Sequence, residues 1–151
     1  KLPRVKTIPT SAYRHLIVFV PGFRGSHYDF KLFKTYLAVY LNNGYDYFMP
    51  TCNDFVTEIP IEEMSLKLAE SMDEYIVNSG HYYEKISFVC HSLGGIILRT
   101  AMKSGRTKQS QIMRKYHKSF HTLITLNSPH LGSICNKSFL VNSGTYLPFF
   151  V

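Results

Sequence analysis

Short, branched apolar runs alternate along this chain with longer stretches of helical period, and that alternation leaves few folds open. Leu16-Ile-Val-Phe-Val20 runs into Pro21-Gly22 and reads as a buried strand. Between Tyr28 and Leu41, Phe30, Phe33, Leu37, Tyr40 and Leu41 share one helical face. Ser26 and Asp29 are placed to cap that helix, and Asn42-Asn43-Gly44 to stop it. Tyr45 to Cys52 reads as a second strand. Ile61, Met64, Leu68, Met72, Tyr75 and Ile76 mark a long amphipathic helix closed by Asn78-Ser79-Gly80. Ile86 to Cys90 is a third strand, Ile96 to Lys103 a further helix, and Leu123 to Leu126 a fourth strand turning at Asn127-Ser128-Pro129. Such alternation predicts βαβ units, hence an α/β fold: a doubly wound, mostly parallel sheet with helices on both faces.

Composition narrows the function classes. With 151 residues, 45% hydrophobic and 18% charged, the chain has the size and balance of one globular domain. No apolar run approaches the roughly 20 residues that span a bilayer, so no transmembrane segment is expected, with peripheral membrane contact left open. Cys52, Cys90 and Cys135 are an odd number, widely spaced and without a CxxC pair. That argues against a disulfide framework or a thiol-rich zinc site and for a reducing, intracellular and cytoplasmic setting. The net charge of +7 is uneven: residues 1–92 balance to −1, whereas residues 93–151 hold eight Lys and Arg and no acid. The densest basic stretch, Arg99 to Lys118, has little aromatic interleaving and reads as a solvated helix and loop, so no nucleic-acid partner is expected. Neither a metal site nor a nucleotide cofactor is suggested, because no His pair meets a carboxylate and no phosphate loop carries its Lys.

Chemical content concentrates in Cys90-His91-Ser92-Leu93-Gly94-Gly95, where a strand passes through a tight turn into a helix. A turn of this kind, a nucleophile elbow, holds one side chain on a strained bend at the positive end of the helix. Small residues two before and two after the nucleophile let the backbone bend without clashes; Gly94 and Gly95 meet the downstream need, and Cys90 stands upstream where Gly is usual. The Leu93 N–H, first in the helix, is aimed at a developing oxyanion.

Four pieces in this order resemble the α/β-hydrolase superfamily, and within it the lipase-like serine esterases that form domains of larger eukaryotic proteins. They are Phe19-Val-Pro-Gly-Phe-Arg-Gly-Ser26, Cys52-Asn53 with Ile61-Glu-Glu-Met64, Ile86 to Arg99 around the Ser turn, and Leu126-Asn-Ser-Pro-His-Leu-Gly132. The resemblance implies Ser92 as nucleophile, the backbone amides of Phe23 and Leu93 as oxyanion hole, and Gly22, Gly94 and Gly95 as the glycines of loop and elbow. It also implies an ester substrate with a lipid-like acyl group, attacked through an acyl-enzyme. Pro21 replaces the His that relatives place before Gly22. In this fold the acid and then the His follow the nucleophile along the chain. No Asp or Glu follows Ser92, and His15, His27, His81, His91, His117, His121 and His130 are poor bases by position. The expectation is therefore residues 1–151 as the N-terminal and central part of one hydrolase domain, cut before the strands that deliver acid and base beyond Val151. By itself that piece would be inactive. The alternative is an α/β-hydrolase fold that serves as a non-catalytic interaction module.

Overall fold

Strand β1 (Tyr13–Val20) forms the centre of a four-stranded sheet, flanked by β2 (Tyr45–Phe48) on one side and β3 (Tyr82–His91) on the other, with β4 (Phe120–Leu126) beyond β3. The molecule is seen in a computed structural model that describes residues 13–41, 44–55, 59–103 and 105–132. Every strand pairing is parallel, with Ile17 opposite Tyr47 and Ser87, and Val89 opposite Ile124. The order 2-1-3-4 means that the chain leaves β1 toward one edge and returns across it, so the crevice of the sheet opens at the carboxyl ends of β1 and β3.

The alternation along β1 and β3 divides the core. Leu16, Val18, Val20, Ile86, Phe88 and Cys90 point to one face and pack under α2 (Ile61–Ser79), α3 (Leu93–Met102) and α4 (Lys108–Arg114). Ile17, Phe19 and Val89 point to the other, where Phe30 and the half-buried Leu37 and Leu41 meet them beside α1 (Lys31–Tyr40). Helices on both faces of a parallel sheet are the doubly wound arrangement that the alternation predicts.

Several boundaries differ from the sequence reading. The helix expected over Tyr28–Leu41 divides into a 3-10 turn (His27–Phe30), capped by Ser26 and Asp29 as anticipated, and α1 proper. Tyr40 remains exposed, and Phe33 stays largely exposed while its ring meets Phe19 of β1 edge to face, 6.1 Å between centres. β2 ends at Phe48 rather than Cys52, since Pro50 cannot donate to the ladder. α3 begins at Leu93, three residues before Ile96, because the helix starts on the turn itself. The basic stretch after Arg99 contains α4, whose Ile112 and Met113 are buried against α2 and α3. Residues after Gly132, including Cys135, lie outside the described residues. None of the described helices is long and apolar enough to cross a membrane.

Candidate active site

Ser92 sits between the last residue of β3 and the first of α3 with φ 49° and ψ −122°, a region that an L-residue enters only under strain. Ser is favoured at a helix N-cap because its hydroxyl accepts from the first turn. Here that cap bond is not made, so the half-buried hydroxyl is not spent on the helix. The backbone holds the turn instead. Ser92 N donates to Leu126 O at 2.8 Å, tying the turn to β4, and Gly95 N donates back to Ser92 O at 3.2 Å.

Three glycines show why the bend needs small residues. A Cβ on Gly22 would stand 2.8 Å from Ser92 Cβ and 3.0 Å from His91 O, so the β1 loop runs directly past the turn. A Cβ on Gly94 would stand 2.6 Å from Pro21 O, so the first turn of α3 lies on the end of β1. Gly95 meets Ser128 from the other side, where a Cβ would be 2.8 Å from Ser128 Cβ. Cys90, in the position where Gly is usual, is fully buried among the residues under α2 and α3, and burial pushes its thiol up to about 12. It is a core residue, not a second nucleophile.

The donors implied by sequence lie in these same two segments. Leu93 opens α3, so its N–H is among the first-turn donors that lack an intrahelical acceptor. Phe23 stands in the turn closed by Gly25 N donating to Gly22 O at 3.0 Å, and its ring is exposed under the Arg24 guanidinium, 5.5 Å from the ring centre. Ser92, Phe23 and Leu93 are thus carried by one junction: the ends of β1 and β3 and the start of α3.

Apart from the exposed His91, the described histidines are engaged elsewhere. His130 has Arg99 on Nδ1 at 3.2 Å and Thr125 Oγ1 on Nε2 at 3.1 Å, which engages both ring nitrogens. His15 bonds Ser87 Oγ at 2.7 Å within the sheet, and burial, with His121 and Lys85 nearby, holds its imidazole below the ordinary value. His81 pairs with Asp46, and His117 bonds Arg114 O. His27 donates from Nδ1 to Asp54, an anchor that sequence reasoning, which weighed His27 only as a base, missed. Its sequence signal was weak, because the partner belongs to the loop after β2. Among the described residues, Ser92 Oγ has no histidine bonded to it.

A parallel sheet in the order 2-1-3-4, with a strained Ser turn where β3 enters its helix, defines the α/β-hydrolase class. The lipase BlEst2 of Bacillus licheniformis, in its propeptide form, superposes with a TM-score of 0.56 at 26% identity, over 85% of this chain. An extracellular α/β-hydrolase from a Paenibacillus species gives a TM-score of 0.49 at 12% identity, over 75% of this chain and 40% of its own. The chain belongs to the family described as putative serine esterase, DUF676, which matches residues 10–149. It spans about a quarter of the length of the Bacillus lipase.

Proposed function

We propose that this chain carries the nucleophile and oxyanion-binding part of a serine hydrolase that cleaves carboxylic esters with lipid-like acyl groups. The observation that carries this reading is Ser92 itself: a left-handed strand-to-helix residue whose hydroxyl is not used as a cap. Membership of the esterase family and likeness to a lipase support the reaction class.

In the proposed reaction Ser92 Oγ loses its proton to a base and bonds to the ester carbonyl carbon. The carbonyl electron pair moves onto oxygen, and the resulting oxyanion accepts hydrogen bonds from the Phe23 and Leu93 N–H groups near the positive end of α3. The oxyanion then collapses and the ester C–O bond breaks. The alcohol leaves with the proton, and Ser92 is left acylated. Water repeats the sequence on the acyl group and restores the hydroxyl. The exposed Phe23 ring beside the turn offers an apolar surface to an acyl chain.

A second reading is favoured by the absence of a histidine on Ser92 Oγ among the described residues: a hydrolase fold kept as a binding module. Fluorophosphonate labelling of the full-length natural protein, beside its Ser92→Ala variant, separates the two. Labelling that is lost in the Ala variant and matched by ester turnover supports the hydrolase. A folded protein that takes no label and turns over no ester is a module.

A further inference from the structure

The Cys52-Asn53 piece and the loop that contains it have no part in the reaction as described, yet they hold the segment that does. Asn53 Nδ2 donates to Met64 O at 3.0 Å, which fastens the loop to α2. The next residue, Asp54, reaches across to the β1 loop. Its Oδ1 accepts from His27 N at 2.9 Å, and its Oδ2 accepts from His27 Nδ1 in a short bond. Phe55 N then donates to Gly25 O at 3.0 Å, the carbonyl just beyond the turn that contains Phe23.

Two non-glycine residues in these loops have positive φ, Arg24 at 51° and Phe55 at 58°, one on either side of the cross-loop bonds. Strained backbone of this kind persists only where its surroundings over-determine it. The strain at Arg24 falls inside the turn that carries Phe23, which Gly25 N closes onto Gly22 O at 3.0 Å. The opposite end of the turn rests on Ser92 through Gly22. Bonds therefore run from α2 through Asn53 to the Asp54–Phe55 segment, and from there to His27 and to Gly25, which closes the turn that carries Phe23.

We propose that Asp54, acting through His27, is a positioning residue that aims the Phe23 amide at the oxyanion. This rests on the serine-hydrolase reading above. Asp54 touches no reacting atom, so its loss is felt where charge develops and not where the ester first binds.

The test uses the full-length natural protein, turnover of 4-nitrophenyl butyrate, and fluorophosphonate titration to count functional sites. Asp54→Ala lowers kcat per titrated site roughly tenfold to a hundredfold with KM within about twofold, a part of the ~10²–10³ that deleting an oxyanion donor costs. Asp54→Asn, which keeps one acceptor for His27, loses less. His27→Phe keeps a ring against Tyr28, removes the Nδ1 donor and shows the same kcat-only loss, which covers the case where Asp54→Ala does not fold. A purely structural role would reduce the number of titrated sites and leave kcat per site unchanged. Values of kcat per site within twofold of the parent in both folded variants overturn the inference while the parent still labels. A parent that takes no label overturns the hydrolase reading, and this inference with it.

Discussion

At the scale of single residues, the site is a case of strain held in place by neighbours. Ser92 at φ 49° and ψ −122° occupies a region that costs of order 1–3 kcal/mol for a residue with a Cβ. Ser92→Gly should therefore raise the stability of the folded protein by about 1 kcal/mol in urea titration while fluorophosphonate labelling disappears. A variant less stable than the parent would show that the turn is not strained. In Gly22→Ala the methyl would push against Ser92 Cβ at 2.8 Å and the His91 carbonyl at 3.0 Å, so labelling should fall by roughly a hundredfold and stability should drop by about 1–3 kcal/mol, read as a lower melting temperature. Gly94→Ala presses backbone on backbone and should destabilise the fold by about 3 kcal/mol, read as a lower urea midpoint. Ser92 and its glycines were legible in the sequence because the turn is a local demand on consecutive residues. The His27–Asp54 pair was not, because it joins two loops that only the sheet brings together.

At the scale of elements, the alternation of apolar residues in β1 and β3 was legible because a strand buried on both faces has little freedom in composition. Less of β4 was visible: the sequence pattern marked Leu123–Leu126, and the strand starts at Phe120 after a 3-10 turn. α4 hid within a basic stretch because its two buried apolar residues, Ile112 and Met113, are too few to set a period. The amino ends of the strands are locked by Asp46, which accepts from Arg14 Nε at 2.6 Å and from Tyr83 OH at 2.9 Å. Burial opposes the charge on Asp46, but these bonds outweigh it and hold the carboxyl below the ordinary range. Asp73 is in the same state, with burial outweighed by Lys115 and Tyr116. Both carboxylates contribute stability above their unfolded values, and that contribution is lost as pH falls through the folded ones. The lowered His15 adds an earlier step, since its unfolded form takes up protons first, below about pH 6.5. Chemical denaturation from pH 8 to 3 should show stability declining in two stages. His15→Gln should remove the upper stage and Asp46→Asn should flatten the lower; a single-stage decline in the parent would refute the assignment.

For the molecule as a whole, the uneven charge of the sequence finds part of its answer in the fold. Lys108 pairs with Glu70 at 2.5 Å and Lys115 with Asp73 at 2.7 Å, so α4 returns basic residues to the acids of α2. Two of the acids that answer the basic half thus lie upstream, on α2. Apolar surface is distributed as unevenly as charge. Leu32, Tyr36, Val39 and Tyr40 on α1, with Leu123, Ile124 and Leu126 on β4, are all exposed. Patches of this size attract apolar probes and other copies of the chain. The 151-residue chain at micromolar concentration should enhance the fluorescence of an anilinonaphthalene dye and sediment faster as concentration rises. Tyr36→Lys combined with Ile124→Lys should lower both responses.

The parallel pairing has a consequence for when the site can exist. His15 and Ser87, 72 positions apart, bond across β1 and β3, and Ser92 hangs from β4 by the Leu126 carbonyl. No early, local piece of the chain contains both the bend and the loop that faces it. Long-range pairings of this kind form late and slowly. On the proposed hydrolase reading, a hydroxyl that becomes reactive only after three strands have found their order is a clock. During refolding, the moment at which Ser92 first accepts a covalent probe would date the completion of the sheet, and a newly made chain would stay chemically silent until then.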